Sequence, residues 1–284
     1  MPHPRQTSRM LGYPDDARLL IINADDFGMC HAVNEAVFRA LQGGLLRSAT
    51  LMVPCPWAAH AMQFLAAHPG VPFGIHLTAI AEWPHYRWGP LAPREKVPTL
   101  VDGAGRFPRF EEMPAFLAQV RLDQLELEWR AQIEAVLAAG LRPTHLDWHA
   151  LRIGERADIA DLLVRLARAY GLALRVRGRA WTEAVRALGL PCADYDFLDS
   201  YMMDLHDKPA QYERLLRELP EGLSEWAIHP GLHTPELLAI EGDTKHVRES
   251  DYDFLMSHAA REIVQEEGII LLDYRALQAA WGAR

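Results

Sequence analysis

Leu19-Leu20-Ile21-Ile22-Asn23-Ala24-Asp25-Asp26-Phe27-Gly28 opens with four apolar residues and then delivers two adjacent carboxylates, an aromatic ring and a glycine. The apolar run has the length and composition of a buried strand. A helical stripe follows within a few residues, carried by Val33, Val37, Phe38 and Leu41. Two acids therefore stand where a buried strand ends and a helix begins, the edge at which βα folds build their active sites. Adjacent like charges beside a core are costly unless a cation or a hydrogen-bond network compensates them. Taken alone, Asp25 or Asp26 reads equally well as a helix cap.

The pattern set by that stretch repeats along the chain. Apolar runs at 19–24, 49–53, 71–77, 144–148, 172–176, 226–229 and 269–272 alternate with helical patterns at 31–42, 57–67, 112–139, 156–170, 209–219 and 252–267. Gly140, Gly171 and Gly268 each close a helical pattern just before a strand. Regular alternation predicts a parallel sheet with helices outside. About seven such units without a G-x-G-x-x-G turn favour an irregular (β/α) barrel over an open dinucleotide-binding sheet. Residues 1–18 are polar and contain proline, and they read as a flexible arm before one catalytic barrel domain at 19–284.

Composition narrows the function classes. The 284 residues carry a net charge of −9, which argues against a nucleic-acid partner. No apolar stretch approaches the ~20 residues of a membrane span, and the first 18 residues lack the apolar core of a signal peptide. The three cysteines, Cys30, Cys55 and Cys192, form no C-x-x-C pair and suit a reducing, cytoplasmic setting.

Three further strand ends are polar. In Gly74-Ile75-His76-Leu77-Thr78, the alternation puts Gly74, His76 and Thr78 on one face. In Thr144-His145-Leu146-Asp147-Trp148-His149, it puts His145, Asp147 and His149 on one face, and buried charges need partners. In Glu225-Trp226-Ala227-Ile228-His229-Pro230-Gly231, a histidine ends the strand and Pro-Gly turns the chain. Singly, His76 reads as a core histidine and His229 as a turn histidine. Together with Asp25-Asp26 they fall on one rim of one barrel. Two histidines and one aspartate make a common tripod for a divalent metal, and the spare acid and histidine supply a base and an acid. Arg175, inward by alternation with Ala173, reads as a carbonyl or carboxylate ligand or as a partner of Asp147. Glu225 reads as a group that orients a neighbour.

These motifs, in this order, resemble the YdjC-like family of carbohydrate deacetylases, which includes the chitooligosaccharide deacetylases and hopanoid-associated relatives. The resemblance rests on Asn23-Ala24-Asp25-Asp26-Phe27-Gly28, Val33-Asn34-Glu35-Ala36, Gly74-Ile75-His76-Leu77-Thr78, Thr144-His145-Leu146-Asp147-Trp148-His149 and Ile228-His229-Pro230-Gly231. It implies a deformed TIM-like, polysaccharide-deacetylase-like barrel and metal-dependent hydrolysis of an N-acetyl group by an activated water. By residue-level transfer, Asp26, His76 and His149 resemble the metal ligands, one magnesium or zinc ion being implied. Asp25 resembles the general base and His229 a later catalytic or substrate-contacting histidine. His145, Asp147 and Arg175 are expected to bind substrate, an N-acetylated mono- or oligosaccharide or a glycolipid. A homodimer is the default expectation. At one position the chain departs from the family: Leu151 stands where another histidine often occurs, which bears on substrate preference.

The connection at 80–110 is too long for a plain loop and too irregular for a helix. It reads as a lid or binding loop, and Trp83, Tyr86 and Trp88 as sugar-stacking rings or as ordinary packing. A second polar loop, 233–250, is expected to close the other side. The competing functions are a metallohydrolase of phosphoesters or cyclic amides, a two-carboxylate glycosidase, and a non-catalytic protein that binds N-acetylated sugars.

Overall fold

The computed structural model describes residues 6–282. Its strands are β1 (Arg18–Phe27), β2 (Ser48–Leu51), β3 (Gly74–Leu77), β4 (His145–Trp148), β5 (Ala173–Leu174), β6 (Leu198–Asp199), β7 (Gly222–Ile228) and β8 (Ile270–Leu272). All their pairings are parallel. The order is β5-β4-β3-β2-β1-β7-β6, with β8 also paired to β1. The fold is the expected α/β one, a deformed TIM-like barrel with seven strands along its path.

The deformation has a visible origin in β1. One edge of β1 pairs with β7 from Arg18 to Ala24. The other edge is shared: β8 takes Leu19–Ile21 and β2 takes Asn23, Ala24 and Phe27. β2 has therefore splayed away from the lower half of β1, and β8 fills the gap. Every residue of β1 after Arg18 is buried, as an apolar run flanked on both faces requires.

The helices pack outside for the reason their sequences give. In Ala157–Tyr170 the buried residues Ile159, Leu162, Leu163, Leu166 and Ala167 form one stripe. The glycines expected to stop helices, Gly140, Gly171 and Gly268, all have positive φ. Two expected helices are each broken in two. The pattern at 112–139 divides into Met113–Gln119 and Leu122–Ala138, where the Arg121 amide turns out to donate to Thr99 Oγ1. The pattern at 252–267 lies across Lys245–Met256 and His258–Glu266. Ser257 stands between them and caps the second through its side chain.

Other differences lie in the connections. The 233–250 segment is not a plain loop, since it holds the helix Pro235–Glu241 and the start of Lys245–Met256. The helices Arg179–Ala187 and Arg275–Gly282 and the two-residue β6 were not expected from the pattern. Of the expected flexible arm, residues 1–5 lie outside the described residues. From there on the segment is docked: Gln6–Met10 is a helix, Thr7 and Ser8 are buried, and Thr7 Oγ1 donates to the Cys192 carbonyl.

Side chains fill the barrel in layers. The upper layer contains His76 of β3 opposite Asp147 of β4. Below it, His145 is stacked on Tyr274, with ring centroids 3.6 Å apart and planes 5° from parallel. A Cβ on Gly74 would lie 2.5 Å from that imidazole. His145 cannot retreat, because Tyr274 covers its other face. Gly74→Ala is therefore expected to destabilise the fold by about 1–3 kcal/mol through overpacking, read as a lowered midpoint in denaturant unfolding.

Candidate metal and catalytic centre

Two successive residues of a regular strand face opposite sides, so Asp25 and Asp26 should not share a site. Here they do. The β1–β2 register shifts between Ala24 and Phe27, and Asp26 has φ +65°, a left-handed conformation uncommon outside glycine. The bulge adds a residue and re-aims the chain. Neither aspartate caps the following helix, whose N-cap is Cys30.

Asp25 is held on three sides. Arg175 Nη1 and Nη2 donate to its two oxygens at 2.7 and 2.8 Å, and Asn23 Nδ2 donates to Oδ1 at 2.8 Å. Burial would raise its pKa, but the Arg175 guanidinium, with His76 and His229, holds it well below the usual carboxylate range. Its Oδ2 lies 4.0 Å from His76 Nε2 and 3.9 Å from His229 Nε2.

Asp26 meets a different set. Oδ1 is 3.4 Å from His76 Nε2 and 3.1 Å from His149 Nδ1. Oδ2 accepts from Arg248 Nη2 at 2.7 Å. Arg248 Nε also donates to Glu241, and its guanidinium lies over the Tyr201 ring. Burial opposes ionisation of Asp26, but Arg248 and His149 outweigh it and keep the carboxyl well below its ordinary range.

Both histidines are mounted on carboxylates. His76 Nδ1 lies 2.7 Å from Asp147 Oδ1. Burial alone would lower its pKa; Asp147 and Asp25 push it up to about 10. His149 Nε2 lies 2.7 Å from Glu82 Oε1, an ion-pair distance too oblique for a well-aligned hydrogen bond. Burial again lowers and the carboxylates of Glu82 and Asp26 raise, taking His149 up to about 9. His229 presents Nδ1 to the Ser200 hydroxyl at 2.8 Å, and its backbone amide donates to Asp251 at 2.8 Å. Asp251 is in turn paired with the fully buried Lys208 at 2.6 Å.

The residues expected to hold a metal are thus brought together. One ligand atom from each of Asp26, His76 and His149 lies within 4.8 Å of the others. The contacts of 3.4 and 3.1 Å bracket about 3.3 Å, the edge of a tetrahedron with bonds of about 2.0–2.1 Å. The donor set and its spacing fit a divalent cation. A second cluster, His31, Glu35 and His60, is partly exposed on two helices. There His60 Nδ1 is already engaged by the Asn34 amide at 3.2 Å.

The residues expected to touch substrate are placed differently. His145 and Asp147 have no exposed surface and Arg175 is 2% exposed. His145 belongs to the layer below. Asp147 orients His76, accepts from Thr50 at 2.9 Å and pairs with Arg175 at 2.8 Å. Arg175 also donates to Glu225 at 2.7 Å, the orienting contact expected of that glutamate. Leu151 is buried. Trp88 is 2% exposed, with its indole N–H on the Ile80 carbonyl, and Tyr86 donates to the Met29 carbonyl. The exposed ring beside His229 is instead Tyr201, 36% exposed, with centroids 4.6 Å apart.

Arg248, Glu241, Glu82, Thr50 and Ser200 were missed from the sequence. Arg248 and Glu241 lie in the 233–250 stretch, which reads as a polar loop and singles out neither residue. Glu82 did carry a signal, as the lone acid in the run Ala79-Ile80-Ala81-Glu82-Trp83 just past a polar strand end.

The YdjC-like protein family pattern matches residues 19–266. A carbohydrate deacetylase of Thermoanaerobacter pseudethanolicus is 31% identical over 265 residues, covering 92% of this chain and 100% of that protein. A chitooligosaccharide deacetylase of Serratia marcescens is 28% identical over 263 residues, covering 92% of this chain and 99% of the relative. A crystal structure from Enterococcus faecalis, provisionally described as a cellobiose-phosphate cleavage protein, superposes with a TM-score of 0.79 at 29% identity, covering 92% of this chain and 99% of that one.

Arg175 is the single cation shared by Asp25, Asp147 and Glu225. Replacing it leaves three buried carboxyl groups short of a partner. Arg175→Met is therefore expected to lose about 3–5 kcal/mol of stability, measured by denaturant unfolding at neutral pH.

Proposed function

The chain belongs to the YdjC-like family, and from that premise we propose that it removes the acetyl group from an N-acetylated sugar by metal-assisted hydrolysis of the amide. The observation that carries this reading is the pairing of two acids with two jobs. Asp26 faces both histidines, while Asp25, one residue away, is clamped by Arg175 beside them.

Asp26, His76 and His149 would hold the ion, and their two imidazoles and one carboxylate suit zinc better than magnesium, which prefers oxygen ligands. When bound, a divalent cation supplies Lewis-acid charge toward water and an acetamide oxygen. The protein's own groups do the rest. Asp25 is kept ionised by Arg175 and accepts a proton from the water that attacks the carbonyl carbon. So low a pKa makes it a weak base, and its effectiveness rests on being fixed in place rather than on basicity. His229 lies across from Asp25, steadied by Ser200 and by Asp251. It is placed to hand a proton to the departing amine. Tyr201 offers the apolar face of a pyranose an exposed ring beside that histidine.

The test is acetate release from N-acetylglucosamine-containing oligosaccharides, with chelator-stripped protein compared with protein resupplied with zinc, magnesium or cobalt. Acetate is expected only with metal, and none at all from His149→Ala. Asp25→Asn is expected to bind metal with unchanged stoichiometry and to lose about 10²–10⁴-fold in turnover. An Asp25→Asn variant with full activity would remove Asp25 from the role of base.

A further inference from the structure

His76 and His149 approach Asp26 in opposite senses. His76 turns Nε2 toward the aspartate and His149 turns Nδ1 toward it. Each ring therefore presents its other nitrogen to something else, and in both cases that is a carboxylate at 2.7 Å: Asp147 for His76, Glu82 for His149. Asp147 comes from the sheet, and its inward direction follows from the strand alternation. Glu82 comes from the irregular connection after β3, where no periodicity fixes a side chain's direction.

From this symmetry we infer that Glu82 is the positioning residue for His149, fixing Nδ1 as its metal-binding atom. The inference rests on the metal reading above. Asp147 holds His76 by a hydrogen bond, whereas Glu82 meets His149 as an ion-pair contact; a carboxylate at that distance favours the proton on the near nitrogen, leaves the far one to act as ligand, and makes the imidazole a stronger donor. Among the described residues, His149 is the group that Glu82 meets at ion-pair distance. Its second oxygen, Oε2, is buried without a hydrogen-bond partner among the described residues. A carboxylate drawn inward with one oxygen bare is costly unless a polar partner compensates it, and the His149 ring is the partner it meets.

The connection that carries Glu82 is braced rather than loose. Thr78 exchanges two hydrogen bonds with the Gln132 side chain, at 3.0 and 2.8 Å. The Ala81 amide donates to the Pro108 carbonyl at 2.9 Å. Trp88 donates to the Ile80 carbonyl at 2.9 Å, and the Leu91 and Ala92 amides donate to the buried Glu128 at 3.1 and 2.8 Å. Residues on both sides of Glu82 are thus tied to the barrel wall. The connection acts as a fixed bracket that delivers one carboxylate to one ligand, so its packing is coupled to metal affinity.

The experiment is a calorimetric titration of zinc into chelator-stripped full-length protein, alongside Glu82→Gln and Glu82→Ala. The unaltered protein is expected to bind one equivalent. Glu82→Ala should weaken zinc binding by about 10- to 100-fold. Glu82→Gln keeps a carbonyl acceptor and should lose less. The visible absorption of bound cobalt(II) should shift in both, because His149 is reoriented within the ligand set. Thermal unfolding of the stripped proteins should stay close together, since the bracket's own hydrogen bonds are untouched. Equal zinc affinity and identical cobalt spectra in all three proteins would overturn the assignment of Glu82. Failure of the unaltered protein to bind zinc or cobalt would instead overturn the metal reading, and this inference with it.

Discussion

The structure depends on how five of its buried carboxyl groups, those around the two adjacent aspartates, are compensated. Asp25, Asp26, Asp147, Glu225 and Glu241 are each at most 5% exposed. Only two arginines, Arg175 and Arg248, are buried among them, and both are driven well above their ordinary pKa by the acids they meet. A lone charge cannot remain in such a place, so each acid is tolerated only while its partner is present. Those partners come from far along the chain. Arg175 lies 150 residues beyond Asp25, and Arg248 lies 222 residues beyond Asp26. The first strand therefore cannot complete its own site. β5 must be laid down and the helix Lys245–Met256 must dock before the aspartates are compensated, which ties the chemistry of β1 to closure of the whole barrel.

A backbone device then divides the two aspartates between two tasks. In a regular strand one of them would face the helices, where no partner waits. The bulge at Asp25-Asp26 brings both to the same side, at a cost of order 1–3 kcal/mol for a left-handed non-glycine residue. Asp is among the residues that tolerate this conformation best. The contacts made by Asp26 hold the strain in place: Arg248 on one oxygen, His76 and His149 on the other. Each aspartate thereby acquires its own arginine, and the two carboxylates do not compete for one cation.

The strand alternation reaches a long way into this site. It assigned His76, Asp147, His149 and Arg175 to the inward face because side chains on a strand have a fixed period, and the structure places all four around Asp25-Asp26. It was silent on the bulge, since a local register shift leaves no periodic trace. It allowed Arg175 to pair with Asp147, as it does, but did not show that His145, Asp147 and Arg175, expected to bind substrate, are buried beneath the site. Period 2 tells which face a residue takes but not its height in the barrel or what covers it. Arg248 carried no signal and Glu82 only a faint one, because one lies on a polar helix and the other in an irregular connection, where burial is decided by tertiary packing. β6 was missed because two residues carry no period at all. The docked start of the chain escaped because Thr7 and Ser8 are small polar residues, and the partner that holds Thr7 is the distant carbonyl of Cys192.

The acid excess also bears on what the centre can accept. Two guanidinium groups do not neutralise five carboxyl groups, and the excess of acid favours the protonated form of the neighbouring groups. His76 and His149 are pushed up to about 10 and about 9. Burial lifts Glu225 and Glu241 as well, against the pull of their arginines. Protons on the two histidines are one way to balance the cluster. A divalent cation among Asp26, His76 and His149 is another, because it brings the same two positive charges and needs those imidazoles neutral to bind. The same surplus of acid that favours protons on the imidazoles would favour a divalent cation among them, and Arg175 keeps Asp25 ionised beside that cluster.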